Sequence, residues 1–277
     1  ANIAIEAGLA CLGSGLRIIG CEHNIPSRSV RGRLWIWLRP FAYRRMSAVT
    51  TLTRGAHQEL APLCGATPLK VIPNALRLPL GVTEPQLDPC DFVPDGAPLL
   101  LAMGRMVPAK GFDILIQRFA DLAAQHPDAH LVILGDGPLR AELTEQVARL
   151  GLGARVSLPG RTGNVAQWYT RAALYLMTSR WEGMPMVLLE TMGHGTVPVV
   201  TDFRHGPRDV IRDGIDGVIL PEADEALWQE TVLRLLADPE RRAEMSARAL
   251  EVRTRFGEPM VMQAWAELLA QVAPEKV

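Results

Sequence analysis

From Leu99 to Leu220 the chain repeats one pattern six times, a short run of apolar residues followed by a longer polar or amphipathic stretch. The runs are centred on Leu100, Ile133, Val156, Leu176, Val199 and Ile219. A run that is apolar at every position suits a strand buried on both faces, and such strands need helices above and below them. The pattern therefore predicts βα units feeding a parallel, doubly wound sheet. Between the first two runs, Phe112, Leu115, Ile116, Phe119, Leu122 and Ala123 fall at helical spacing. That spacing predicts one buried stripe, with Arg118, Asp121 and Gln125 left to solvent. Before this unit, apolar runs near Ile19, Thr50 and Val71 predict three more strands. Helical stretches from Leu34 to Met46 and from Arg54 to Leu63 separate them, as in part of a second α/β domain.

The expected organisation is α/β throughout, with a partial Rossmann-like domain over residues 1–76, a proline-rich linker over 77–98 and a complete Rossmann-like domain over 99–257. A last amphipathic helix over 258–277 carries Trp265, Leu268, Leu269 and Val272 and can pack on either domain. The 277 residues are 48% hydrophobic and 21% charged, which supplies a sizeable core and excludes disordered, collagen-like and coiled-coil chains. With 29 basic and 30 acidic side chains the net charge is -1, so no nucleic-acid partner is expected. No run reaches the roughly 18 apolar residues of a membrane span, and a cytoplasmic location follows as the expectation. Cys11, Cys21, Cys64 and Cys90 form no CxxC pair and are expected to be reduced, mostly packing residues. The histidines show no metal-ligand spacing, and no serine or cysteine stands in a GxSxG elbow, so neither a metal site nor a nucleophile is expected.

In α/β sheets ligands sit beyond the carboxyl ends of the strands, so the residues after each run carry the chemistry. After the first comes Gly104-Arg105-Met106-Val107-Pro108-Ala109-Lys110-Gly111, two cations beside a glycine-opened turn and a helix start. A diphosphate suits such a place, because guanidinium, ammonium and free backbone N–H groups all neutralise phosphate oxygens without a metal. The ordinary alternative is a solvated arginine and lysine on a loop. After the second run, Gly135-Asp136-Gly137-Pro138 makes a tight, backbone-rich turn.

The segment from Ser179 to Glu190 is more specific. Glu182 lies on a loop before a helix and Glu190 eight residues later inside it, with Gly183 and Pro185 shaping the entry. A glutamate within the apolar stretch from Met186 to Met192 needs partners, and the hydroxyls of a cis-diol such as ribose supply them. A structural Glu190 bonded to backbone or to an arginine remains the alternative.

Taken together, GRMVPAKG, GDGP, EGMPMVLLE and GTVPVVT resemble the retaining, nucleotide-sugar-dependent glycosyltransferases of family 4, which have the two-domain GT-B fold. The resemblance implies that Arg105 and Lys110 bind the donor diphosphate, that Glu190 holds the ribose and that Glu182 contacts the donor sugar. Backbone groups of Gly104, Gly135, Gly183, Met184, Pro185, Met186 and Val187 would surround the nucleotide. It also places His23, after CEHN, at the donor sugar, and Asn74, in VIPNA, at the end of the first domain. A lone histidine is otherwise most often a satisfied structural one. GPRDVI, Gly206 to Ile211, resembles the polysaccharide-assembly branch, whose donors are commonly UDP-hexoses or UDP-N-acetylhexosamines. No cofactor is implied beyond that co-substrate, and the acceptor would be a glycan or a lipid-linked sugar. The resemblance also implies a truncation, since the family's first strands and glycine-rich acceptor loop would precede Ala1. The spacing from Gly195 to Pro198 is one residue longer than usual. An inactive nucleotide-sugar-binding remnant and a GT-B epimerase or phosphorylase are the rival expectations.

One further stretch departs from the neutral total. From His23 to Gln58 there is no acidic residue, and Arg28, Arg31, Arg33, Arg39, Arg44, Arg45 and Arg54 give +7, leaving -8 for the remainder. Trp35, Trp37, Phe41 and Tyr43 interleave with these arginines. Residues 28–45 thus have the composition of an interfacial helix lying on anionic lipid, as at the inner face of a membrane. Equally open is a helix whose aromatics pack inward while its arginines face water.

Overall fold

The computed structural model describes residues 6–9, 15–23, 32–203 and 205–273. Cys11, Asn24, Arg28 and Arg31 lie outside them, as do the side chain of Arg33 and most of the opening run before Gly15. Two parallel sheets form. The first has the order β1 (Ile19–Glu22), β2 (Ala48–Thr51), β3 (Leu69–Val71). Helix α1 (Arg33–Tyr43) connects β1 to β2, and α2 (Arg54–Cys64) connects β2 to β3. Thr53 caps α2 by accepting from the backbone N–H of Ala56 at 3.2 Å, one of the helix donors left without an internal partner.

The second sheet comprises β4 (Leu99–Met103), β5 (His130–Leu134), β6 (Val156–Gly160), β7 (Leu174–Met177), β8 (Pro198–Thr201) and β9 (Val218–Leu220). Each strand falls on one of the apolar runs, and all six pair parallel in the order β6-β5-β4-β7-β8-β9. This is the doubly wound order, with connections changing side between β4 and β7. The intervening helices are α3 (Phe112–Gln125), α4 (Arg140–Arg149), α5 (Val165–Arg171), α6 (Met186–Gly193) and α7 (Pro207–Val210). After β9 come α8 (Glu225–Ala237), α9 (Pro239–Ala249), α10 (Val252–Arg255) and α11 (Glu258–Val272). One core, from α3, α4 and α8, covers one face of the sheet, and a second, from α5, α6 and α10, covers the other. Leu99, Leu100, Leu101 and Ala102 alternate between these cores, which is why β4 is apolar without a break.

The stripe on α3 is buried as its spacing predicts, but Arg118 is not left to solvent. It is 4% exposed, its Nη2 donates to the Glu222 carbonyl at 2.5 Å, and its guanidinium lies 5.6 Å from the centre of the Trp228 ring. Helix α8 packs across the side of α3 that a single amphipathic helix would expose, and burial of this cation is compensated by the carbonyl and the ring face. The cysteine expectation also needs correction. Cys64 packs in the first core, where burial pushes its thiol up to about 11, whereas Cys21 and Cys90 are exposed and free. Among the described residues no helix is long and apolar enough to cross a membrane.

Residues 77–98 are stitched to α5 and the loop before it. Trp168 Nε1 and Asn164 Nδ2 both donate to the Leu87 carbonyl, at 3.1 and 3.0 Å, and Val93 is buried in the second core. The chain passes between the two sheets twice at one place. Leu76 N donates to the Phe256 carbonyl at 2.7 Å, and Leu76 bridges Gly257. Beyond this crossing α11 returns to the first sheet, burying Val261 and Leu268 against Ala48 and Ile72.

Candidate active site

The change of side between β4 and β7 opens a crevice at the carboxyl ends of these neighbouring strands, where ligands of such sheets sit. The loop after β4, residues 104–111, meets the loop after β7, residues 178–185, and the two are stapled together. Thr178 Oγ1 donates to the Gly111 carbonyl at 2.8 Å, and Arg180 N donates to the Ala109 carbonyl at 2.8 Å. Arg180 also grips Asp113 with both terminal nitrogens, at 2.8 and 2.6 Å. Gly111 takes the left-handed conformation, φ 62° and ψ 29°, and a Cβ there would run into the Thr178 backbone carbonyl.

This staple carries a pH dependence. The guanidinium of Arg180 holds the Asp113 carboxyl below its usual range. A carboxyl depressed in the folded state stabilises above its unfolded value and loses that contribution as pH falls below about 4. Urea-unfolding midpoints measured from neutral to acid pH are expected to fall less steeply for Asp113→Asn than for the parent. Identical slopes would mean the pair contributes nothing.

The staple brings two of the sequence-predicted residues into contact. Lys110 Nζ lies 2.6 Å from Glu182 Oε1, which also accepts from Ser179 Oγ at 2.9 Å. Both side chains are mostly buried, at 18% and 14% exposure. A charged pair held in partial shelter keeps its strength better than one on the surface. Arg105, from the same loop, is exposed and points to another part of the crevice. There, with Gly104 and Gly135, it borders a cavity of about 320 Å³ walled by Met103, Leu134 and Val165 and rimmed by Asp136, Arg161 and Thr162. The structure therefore does not put Arg105 and Lys110 on one another. The Lys110 side chain packs instead over Gly104, which borders that cavity.

Met184 and Pro185 are buried and aim α6 so that its first turn, from Met186 and Val187, opens toward the loop carrying Glu182. The first N–H groups of a helix have no internal acceptor and carry partial positive charge. Glu190, one turn along, is half-buried and accepts from the Tyr169 hydroxyl at 3.0 Å. Tyr169 itself is buried against Tyr175 and His194, and that burial, with Glu190 beside it, raises its hydroxyl well above the ordinary range. The hydroxyl therefore stays protonated and donates. Glu190 keeps its second oxygen for another donor. Sequence reasoning offered a ligand, the backbone or an arginine as its partner and missed Tyr169, whose place on α5 carries no local signal.

His23 follows β1 directly and is exposed on the first-domain wall of a narrow seam that also includes Gly183 and His205. The seam is closed partly by His205, 6% exposed, whose Nε2 meets Glu59 Oε2 at 3.2 Å, and by Asp209 Oδ1, which accepts from Arg54 N at 3.0 Å. Neither cross-domain contact had a signal in the sequence, because each joins α2 of the first domain to a residue near α7 of the second, far along the chain. Asn74 lies just after β3 and before the crossing at Leu76, away from the stapled loops. Among the described residues no cluster of three metal-ligating side chains forms.

Comparison with known proteins gives these features a context. The family model described as Glycosyl transferases group 1 matches residues 91–252. The chain is 28% identical over 231 residues to the lipopolysaccharide core biosynthesis glycosyltransferase LpsE of Rhizobium meliloti, covering 82% of this chain and 65% of that protein. It is 34% identical over 173 residues to an exopolysaccharide phosphotransferase of Streptomyces coelicolor, covering 62% of this chain and 18% of that one. The chain thus spans less than two thirds of either relative. Among solved structures, HepE of Anabaena, determined in complex with UDP, superposes with a TM-score of 0.85 at 21% identity, over 97% of this chain and 76% of HepE. That likeness extends across both sheets, so the fold is GT-B.

Proposed function

The chain belongs to the glycosyl transferases group 1 family, and from that premise we propose that it moves a sugar from a nucleoside diphosphate donor to a glycan or lipid-linked acceptor with retention of configuration. The observation that carries the reading is the stapled pair of loops, which holds Lys110 against Glu182 beside the open start of α6, with Glu190 one turn further on. Positive groups and a carboxylate that suits a diol thus follow one another along the loops beyond β4 and β7.

In this reading the diphosphate lies along Lys110 and the N–H groups of Met186 and Val187, which are in place before any charge develops. The nucleobase occupies the cavity beyond Arg105, where Met103, Leu134 and Val165 offer an apolar wall to a planar ring. Ribose hydroxyls donate to the Glu190 oxygen that Tyr169 leaves open. The donor sugar then reaches the seam between Glu182 and His23, and the acceptor hydroxyl attacks on the face the diphosphate leaves. Its proton passes to a phosphate oxygen. Neutralisation of the leaving group falls to Lys110, Arg105 and the helix start, so a divalent metal is not needed. Uridine is the favoured base, since HepE was determined with UDP, and cell-surface polysaccharide assembly the favoured setting, as the name of LpsE suggests.

A panel of UDP, GDP and ADP in the presence of EDTA, read by thermal shift and calorimetry, tests this. A ligand at about a hundred times its dissociation constant stabilises by roughly 2.7 kcal/mol. UDP is expected to stabilise selectively, and Glu190→Ala to weaken its binding by about 10- to 100-fold, the worth of a hydrogen bond to a charged group. Glu190→Gln, which keeps an acceptor for Tyr169, separates ligand loss from local disorder. A folded parent that binds none of the three would overturn the donor site. A labelled UDP-sugar whose label is epimerised or passed to phosphate, instead of a glycan, would overturn the transfer.

A further inference from the structure

Helix α1 is amphipathic in the reverse sense to an ordinary surface helix. Its inner face carries polar side chains. Arg39 and Tyr43 are buried, Arg39 Nε donates to the Tyr43 hydroxyl at 2.9 Å, and that hydroxyl donates to the buried Glu22 carboxylate at the end of β1. Its outer face carries the large apolar groups, with Leu34 62%, Ile36 60%, Trp37 77% and Phe41 44% exposed. Leu34, Trp37 and Phe41 recur at helical spacing, so they project together. Ile36, Trp37, Pro40 and Phe41 line an open hollow of about 800 Å³ whose remaining wall is Arg44 and Arg45. The Arg45 guanidinium lies 4.4 Å from the centre of the Phe41 ring. The two arrangements open to the sequence are thus divided between residues: Trp37 and Phe41 face outward with Arg44 and Arg45, whereas Tyr43 and Arg39 face inward.

We propose that α1 is a docking helix that lays this outer face on an anionic lipid surface. Solvent exposure of this much contiguous apolar side chain on a single short helix marks an interaction site. Charge decides the occupant. Every charged residue between His23 and Gln58 is an arginine, and those at the end of α1 border the apolar stripe directly. An apolar stripe edged by cations, with a tryptophan at its centre, matches the acyl boundary and phosphate layer of a bilayer. A second copy of the chain fits poorly, because a two-fold contact pairs this face with itself, and residues 23–58 hold no acidic side chain to meet Arg44 and Arg45. The docked orientation is fixed, since the Glu22–Tyr43–Arg39 cluster ties α1 to β1, the strand that His23 follows. This inference stands whether or not the donor reading does.

Co-sedimentation of the full chain with vesicles of phosphatidylcholine, alone or mixed with phosphatidylglycerol, tests it at low and high salt. The chain is expected to pellet with the mixed vesicles, much less with the neutral ones, and to be released by salt. Trp37→Glu and Phe41→Glu are expected to abolish pelleting, and Arg44→Gln and Arg45→Gln each to weaken partitioning about fivefold. All four side chains lie on the solvent side, and unchanged thermal midpoints confirm that the variants fold. Equal binding to neutral vesicles, no pelleting of the parent, or pelleting of Trp37→Glu at the parent's level would each overturn the proposal. So would a parent that is dimeric and becomes monomeric in Trp37→Glu, which assigns the face to a second copy.

Discussion

Replacing Lys110 with alanine is expected to lower the rate of sugar transfer by about 100- to 1,000-fold, the usual loss when one preorganised charge is removed from a developing anion. The ammonium sits on the stapled loop with its partner Glu182 at 2.6 Å and is only 18% exposed, so water screens it weakly. A departing diphosphate gains charge as the glycosidic bond breaks, and a cation fixed beforehand stabilises that state more than the bound donor. The loss should therefore appear mainly in kcat, with a smaller change in KM. Glu182 remains tied to Ser179 in this variant, at 2.9 Å, so the thermal midpoint should hold within a few degrees. Steady-state transfer with the parent and the variant, alongside the melting curves, decides the matter. A variant within tenfold of the parent would remove Lys110 from the leaving-group site, and a collapsed midpoint would assign it a structural role instead.

The second large effect is on stability. Gly111 is expected to tolerate no side chain, because alanine there meets two costs at once. The left-handed conformation costs a residue with a Cβ about 1 kcal/mol, and the carbonyl of Thr178 stands where that Cβ must go. Backbone is the obstacle, so no rotamer change relieves it, and the staple between the two loops has to open. Gly111→Ala should lose roughly 2–4 kcal/mol in all, a strain term added to an overpacking term. Two other glycines separate these terms. Gly96 has φ 79° and open space, so Gly96→Ala should lose only about 1 kcal/mol, whereas Gly153 has open space and no positive φ, so Gly153→Ala should be nearly neutral. Denaturant midpoints for the three variants should fall in that order. If Gly111→Ala and Gly96→Ala match, the contact with Thr178 is not what holds the loops.

The strands were legible because parallel strands covered on both faces cannot mix polar and apolar residues, so β4 through β9 announce themselves one by one. Their pairing was not. That β4 lies beside β7 and not β6 follows from where α4 and α5 pack, and it is this neighbourhood that brings Lys110 to Glu182 across 72 residues. Side chains that answer to a second element were misjudged or missed for the same reason. Arg118 lies on the polar side of α3 taken alone, yet α8 buries it. Tyr169 looks like an ordinary core tyrosine until α6 sets Glu190 over its hydroxyl. For α1 the residues alone left two orientations open, because tryptophan and arginine both tolerate an interface. What settles the orientation is the buried Glu22 carboxylate, which draws Tyr43 and Arg39 inward.

The return of α11 bears on the order in which the protein is made. Ala48 and Ile72 of the first sheet are covered by Val261 and Leu268, which lie far along the chain. Roughly 200 residues separate Ala48 from Val261, which at about 5–20 residues per second is on the order of 10–40 s of synthesis. Residues 99–257, whose strands and helices contact mainly one another, are complete before that cover exists. The usual sequence of folding during translation is thereby inverted. The sheet made earlier has to wait, one core face open to chaperones, for a helix made after the second domain.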